Sequence, residues 1–207
     1  ATGAKLYNPE LCVMVISGDG DLSSIGGNHL IHAARRNIDL KVICANNMVY
    51  GMTGGQVAST TPKGAKTITT GSGNPYRPFD LCELVKAAGA SYVARYSVTQ
   101  PVALIASIQK MLRHPGFCFI EVLSPCPTLY QRRNKMGDGL EAMKSYKKLG
   151  KTKHGAAPEE AELTRNGEIV VGKFVDRERP EYVGLMREQL SETLGERYVE
   201  PETCSCA

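Results

Sequence analysis

No stretch of this chain approaches the roughly 18 consecutive apolar residues that a bilayer-spanning helix needs. Nor does it open on a basic, apolar and small-residue signal. The sequence therefore reads as that of a cytoplasmic protein with no membrane insertion. Charge of one sign is also scarce. Twenty-five basic residues against 21 acidic ones leave a formal +4, too small an excess to argue for nucleic acid, and no compact basic stripe is present. Arg132, Arg133 and Lys135, and again Lys147, Lys148, Lys151 and Lys153, read as solvated faces, with a docking surface for an acidic electron carrier as the sharper alternative. Seven cysteines, an odd number without a secretory signal, exclude a disulfide framework. The sequence shows no pairing of a nucleophile with a base, which points any chemistry towards a bound cofactor.

What is present is 207 residues with 42% hydrophobic content, enough for one domain and an appendage. The chain starts at Ala1 rather than Met, and Ala1 to Leu6 resembles the end of a helix before the Asn8-Pro9 turn. It is read as beginning in mid-element: a fragment, a processed product, or one chain whose N-terminal piece is separate. Leu11 to Ser17 is a near-continuous apolar run, the mark of a strand buried on both faces. A helix is expected over about Ser24 to Arg36, with Ile25, His29 and His32 at helical spacing, and a second buried strand over Leu40 to Ala45. His29 and His32 read as a packed helix face near a ligand rather than a metal pair. Asn46 to Pro78 is irregular and rich in Gly, Thr and Pro, a length uncommon in a compact domain unless functional.

Regular structure resumes with a helix from Phe79 to Ala88, a strand at Tyr92 to Arg95, a helix from Gln100 to His114 and a strand at Phe117 to Leu123. Repeated strand–helix–strand units imply an α/β fold, a parallel sheet with helices on both faces. Right-handed crossovers then place the loops after Ser17, Ala45 and Leu123 at the carboxyl edge, where open α/β sheets bind ligands. Beyond these lie a linker at Gly150 to Pro158, a strand at Glu168 to Val175 and a helix at Pro180 to Leu194, read as an arm packing on the domain or on a neighbour. Cys12, Cys44, Cys82 and Cys118 fall in strand-like or helical patterns and read as buried, inert thiols.

Gly18-Asp19-Gly20 follows the first strand and Asn46-Asn47 the second, with twenty-five residues between Gly20 and Asn46. Each alone is a turn signal. After two successive buried strands the pair has a chemical logic. Glycines admit a diphosphate close to the backbone, and the next helix offers free N–H groups and a positive dipole end. Asp19 offers a carboxylate and Asn47 an amide oxygen to Mg²⁺, which prefers oxygen ligands and commonly bridges carboxylate to phosphate.

The arrangement resembles the thiamine-diphosphate motif of decarboxylases, transketolases and oxoacid oxidoreductases. Asn47-Met48-Val49-Tyr50-Gly51-Met52-Thr53-Gly54-Gly55-Gln56 narrows the resemblance to the beta subunits of 2-oxoacid:ferredoxin oxidoreductases. Ile25-Gly26-Gly27-Asn28-His29, Arg35-Arg36-Asn37 and Thr60-Thr61-Pro62 are similar too, so that it spans roughly Ala1 to Lys148. It implies Mg²⁺ on Asp19, Asn47 and the Val49 carbonyl, with Asn46 forming the loop beside them, and diphosphate contacts on Gly18, Gly20, Asp21, Gly51, Met52 and Thr53. Pyruvate-specific relatives often have Asn where Met52 stands. Tyr50 and Gln56 are expected to shape the loop.

Cys126, in Ser124-Pro125-Cys126-Pro127-Thr128, matches the last cysteine ligand of a [4Fe–4S] cluster in that subunit. Cys204 and Cys206 read as part of a solvated terminus. The resemblance further implies a thiamine-binding domain over residues 1–149, with a piece missing before it, and an extension over 150–207. It implies alpha, and in some enzymes gamma and delta, subunits as partners, and CoA-dependent oxidative decarboxylation of a 2-oxoacid with ferredoxin reduction. Arg132 to Gly139 and Gly172 to Arg177 look like the 2-oxoglutarate type. Pyruvate and branched-chain types, a non-oxidative thiamine enzyme and a non-catalytic subunit remain as alternatives.

Overall fold

The computed structural model describes residues 1–164 and 167–200. The expected positions Cys204 and Cys206 lie outside the described residues. Four mutually parallel strands make up most of the large sheet: β1 (Val13–Gly18), β2 (Leu40–Asn46), β5 (Tyr92–Ser97) and β6 (Cys118–Leu123). The two-residue strands β3 (Val49–Tyr50) and β4 (Gln56–Val57) form a separate antiparallel hairpin. With β7 (Gly150–Thr152) and β8 (Ile169–Asp176), the large sheet runs β1-β2-β6-β5-β8-β7. The chain thus passes over the β6 position to form β5, and fills the gap afterwards. β8 pairs antiparallel with β5, so the sheet is mostly rather than wholly parallel.

Helices flank both faces. α1 (Thr2–Tyr7) precedes the sheet. α2 (Gly27–Arg35) and α3 (Leu81–Ala88) cover one face, where Leu30, Ala34, Leu81 and Val85 meet Val42, Cys44, Val93 and Phe119. α4 (Pro101–Arg113) covers the other through Met111, Leu104 and Ile108, packed on Tyr92, Ala94 and Ile120. Local chemistry sets the ends. Asp80 caps α3 by accepting from the Glu83 N–H, and Pro101 starts α4, where its missing donor costs nothing.

Four expectations are corrected. β1 is not buried on both faces: it is an edge strand that α2 covers on one side only, and Ile16 on the other side is 69% exposed. The run's first residues, Leu11 and Cys12, turn off Asn8 before the strand begins, so Cys12 is exposed while Cys44, Cys82 and Cys118 are buried. His29 and His32 point to solvent, because α2 buries Leu30, Ala33 and Ala34 instead. The linker at Gly150 to Pro158 contains β7, parallel to β8.

The last third packs on the domain as far as Tyr182, beyond which α8 buries no residue. α5 (Arg132–Asn134), α6 (Gly139–Leu149) and α7 (Pro158–Ala161) lead into β8, which extends the sheet, and α8 (Tyr182–Leu194) follows. Asn37 ties this segment down. Its amide donates to the carbonyls of Arg179 and Pro180, while its oxygen accepts from Ser91 and the Phe117 N–H.

Candidate cofactor site

β1, β2 and β6 lie side by side and parallel, so their carboxyl ends share one edge. Gly18 stands opposite Ala45 and Asn46 opposite Leu123. A cavity of about 310 Å³ opens there, lined by Gly18, Asp19, Gly20 and Asp21 from the first loop and by Asn47, Val49, Tyr50, Gly51, Met52 and Thr53 from the second. Every residue the sequence nominated for cation or diphosphate therefore meets in one place, 25 residues apart in the chain though the two loops are.

Asp19 is the charged centre of the cavity, and only 1% of it is exposed. Its Oδ1 accepts from the Asn47 N–H at 3.3 Å, and its Oδ2 from the Thr60 hydroxyl. Among the described residues no lysine or arginine pairs with it. Burial pushes its carboxyl up to about 6, against the pull of the hydrogen bonds from Thr60 and Asn47, and the Glu121 carboxylate adds to the rise. The segment after β1 is a five-residue π turn, Asp21–Ile25, and not the start of a long helix; α2 begins only at Gly27. Ser23 in that turn donates to the Asp19 carbonyl at 2.5 Å.

The second loop is built on hydrogen bonds to side chains. Asn47 Oδ1 accepts from the Val49 N–H at 3.1 Å, Asn46 Oδ1 from the Met48 N–H at 3.0 Å, and the Thr61 hydroxyl donates to the Met48 carbonyl at 2.6 Å. Met48 itself takes φ of 68°, a left-handed conformation rare for a residue with a side chain. Its side chain is buried with Val49, Ala65 and Tyr130. Tyr50 and Gln56 shape the loop as expected: the Tyr50 hydroxyl donates to the Gly20 carbonyl, and Gln56 bonds both the hydroxyl and the carbonyl of Thr53. Gly20 owes its identity to this packing, since a Cβ there would sit 2.6 Å from the Tyr50 ring. At Gly18 a Cβ would meet nothing closer than Asp21 at 3.7 Å, so protein packing does not require that glycine.

Cys126 lies half-buried just beyond β6, outside the cavity lining, where it precedes a second π turn, Pro127–Gln131. Met52 is wholly exposed at the rim. Sequence spacing missed Ser23 and Glu121, and Thr60 entered only within the Thr60-Thr61-Pro62 resemblance, with no role attached to it. The one available signal was Glu121 itself, a carboxylate in the apolar run Cys118-Phe119-Ile120-Glu121-Val122-Leu123.

Residues 1–122 match the family described as thiamine pyrophosphate enzyme, C-terminal TPP binding domain. The chain is 49% identical over 198 residues to 2-oxoglutarate synthase subunit KorB of Methanothermobacter marburgensis, covering 94% of this chain and 68% of the relative. It is 51% identical over 184 residues to the subunit of the same name from Methanothermobacter thermautotrophicus, covering 87% of this chain and 63% of the relative. It is also similar to a solved structure, 2-oxoglutarate:ferredoxin oxidoreductase from Magnetococcus marinus with 2-oxoglutarate, coenzyme A and succinyl-CoA bound. There the TM-score is 0.79 at 29% identity, over 98% of this chain and 68% of that one. The chain thus spans about two thirds of the length of these relatives.

Proposed function

Because the chain belongs to the thiamine-pyrophosphate-binding beta subunits of the 2-oxoacid:ferredoxin oxidoreductases, we propose that it carries the cofactor half-site of an enzyme that turns 2-oxoglutarate and coenzyme A into succinyl-CoA and CO₂, passing two electrons to ferredoxin. The observation that carries this reading is the cavity at the carboxyl edge, where a buried carboxylate meets the Asn47 amide and Val49. Those donors suit Mg²⁺. Asp19 is desolvated and lacks a cationic partner among the described residues, a cost that a divalent ion would relieve. Asn47 Oδ1 uses one lone pair on the Val49 N–H and keeps another.

In this reading Asp19, Asn47 and the Val49 carbonyl hold Mg²⁺, and Gly18, Gly20, Asp21, Gly51, Met52 and Thr53 cradle the diphosphate. When bound, thiamine diphosphate supplies the nucleophilic carbon and the electron sink that decarboxylation requires. The residues of this chain anchor and orient; Asp19 transfers no proton, because its acceptor sites are spent on hydrogen bonds and the cation. A carboxylate to activate the aminopyrimidine would come from an alpha subunit, and gamma or delta subunits would complete the complex. Cys126 would be one ligand of a [4Fe–4S] cluster, its other ligands lying beyond the described residues; the half-buried sulfur at the same sheet edge supports this. Residues 150–207 would be an extension of a cofactor domain over 1–149.

The names of the relatives favour 2-oxoglutarate over pyruvate and branched-chain acids. Viologen reduction by the reconstituted complex, assayed with each of these acids and coenzyme A, tests the proposal. Succinyl-CoA formation matched to viologen reduction, fastest with 2-oxoglutarate, supports it. Carboligation without electron transfer would sink it.

A further inference from the structure

Beneath the second cofactor loop runs a buried polar relay that the chemistry does not use directly. Arg95 on β5 is wholly buried. Its Nη2 meets both oxygens of Asp80 at 2.8 and 2.9 Å, its Nη1 the Ala161 carbonyl at 2.6 Å, and its Nε one oxygen of Glu121 at 2.5 Å. The other Glu121 oxygen accepts from the Asn46 amide nitrogen at 2.6 Å. An ionised carboxylate only accepts hydrogen bonds, so it fixes which end of the Asn46 amide faces it. The Asn46 oxygen is thereby sent the opposite way, to the Met48 N–H at 3.0 Å.

We infer that Glu121, held by Arg95, is a positioning residue for the cofactor loop: it orients the Asn46 amide so that Met48 stays in its left-handed conformation and presents Asn47 and Val49 to the cavity. Left-handed backbone at a non-glycine persists only where its surroundings over-determine it. Here the Asn46 oxygen, the Thr61 hydroxyl and the buried Met48 side chain do so together. Of these, only the Asn46 contact traces back to a charged pair in the core. The inference rests on reading that loop as the cation and diphosphate site.

The test is a reversal of hydrogen-bond polarity in the assembled, cofactor-free complex, read by amide hydrogen exchange at Met48 and Val49 and by calorimetric uptake of thiamine diphosphate with Mg²⁺. In Glu121→Gln the single side-chain oxygen goes to the Arg95 guanidinium, leaving an NH₂ group towards Asn46. Asn46 then flips and faces Met48 with a donor. Exchange at Met48 should quicken, and cofactor affinity fall, by about tenfold each. In Glu121→Gln with Asn46→Asp, the new amide donates to Asp, whose second oxygen again accepts from Met48. Both readouts should return close to the wild-type values.

Unchanged exchange and affinity in Glu121→Gln would overturn the inference. So would a double variant that recovers the melting temperature but neither readout. If Glu121→Gln does not assemble, Asn46→Ser decides, because it leaves the Arg95–Glu121 pair whole and removes the bridge; the same loosening supports the relay and its absence refutes it. A wild-type complex that takes up no thiamine diphosphate would refute the cofactor reading instead, and the exchange contrast would still judge the relay.

Discussion

Replacing Asp19 by Asn should stabilise the cofactor-free protein at neutral pH, although it removes the carboxylate at the centre of the cavity. Burial raises the folded-state carboxyl to about 6 from an ordinary 3.8. A shift of about two units corresponds to about 3 kcal/mol of linkage free energy. The folded form binds the proton more tightly than the unfolded chain. Stability from this group is therefore fully present below the unfolded value, declines as pH rises through about 6, and stays low above it. Asn never ionises. It can accept from the Asn47 N–H and donate to the Thr60 hydroxyl, which can reverse its role.

The difference between variant and wild type, measured by urea unfolding of cofactor-free protein across pH, should be near zero at pH 4. It should climb to at most about 3 kcal/mol in favour of the variant by pH 7.5. Thiamine diphosphate with Mg²⁺ should reverse the order, because only the wild type gains from binding. In the wild type, Mg²⁺ affinity should drop towards tenfold per pH unit below about 6, as cation and proton compete for one carboxylate. A variant less stable than wild type at pH 7.5, or a difference that ignores pH, would refute this account of Asp19.

Gly20→Ala forces the Tyr50 ring away from the Gly20 carbonyl. It should weaken thiamine diphosphate uptake at least about tenfold while costing roughly 1–3 kcal/mol of stability, read by calorimetry and thermal melting; unaltered uptake would show that Tyr50 yields freely. Asn37→Ala removes four hydrogen bonds that join α2, β6 and the start of α8. It also places a side chain with no local hydrogen bonding at φ of 51°. A loss of about 3 kcal/mol or more, with faster amide exchange over residues 177–182, should follow; exchange limited to the α2 end would place the anchor elsewhere.

The sheet was legible because parallel strands buried by helices leave unbroken apolar runs, as in Leu40 to Ala45 and Phe117 to Leu123. The same signal misled at β1. Met14 and Ile16 look like core residues in a sequence, but their exposure depends on which strand ends up at the edge, and that is a property of tertiary order. The residues lining the cavity were legible as Gly-Asp-Gly and Asn-Asn with a spacing. Their supports were not: Thr60 and Glu121 act from 41 and 75 residues away from Asp19 and Asn46, through hydrogen bonds that no local pattern records. His29 and His32 looked packed because three-residue spacing marks a helix face without saying which one.

The order in which β5 and β6 enter the sheet also governs when the site can exist during synthesis. A nascent chain emerges with Asp19, Asn47 and Thr60 early, yet the strand bearing Glu121 is translated after β2 and β5, the two strands between which it lies in the finished sheet. Asn134, which grips Lys66 by two backbone hydrogen bonds, arrives later still. Every residue that lines the cavity is therefore translated well before the scaffold beneath it, and loop-closure entropy over such separations slows the final arrangement. Truncated products ending before residue 121 should therefore carry both motifs without the Glu121 contact that orients the Asn46 amide.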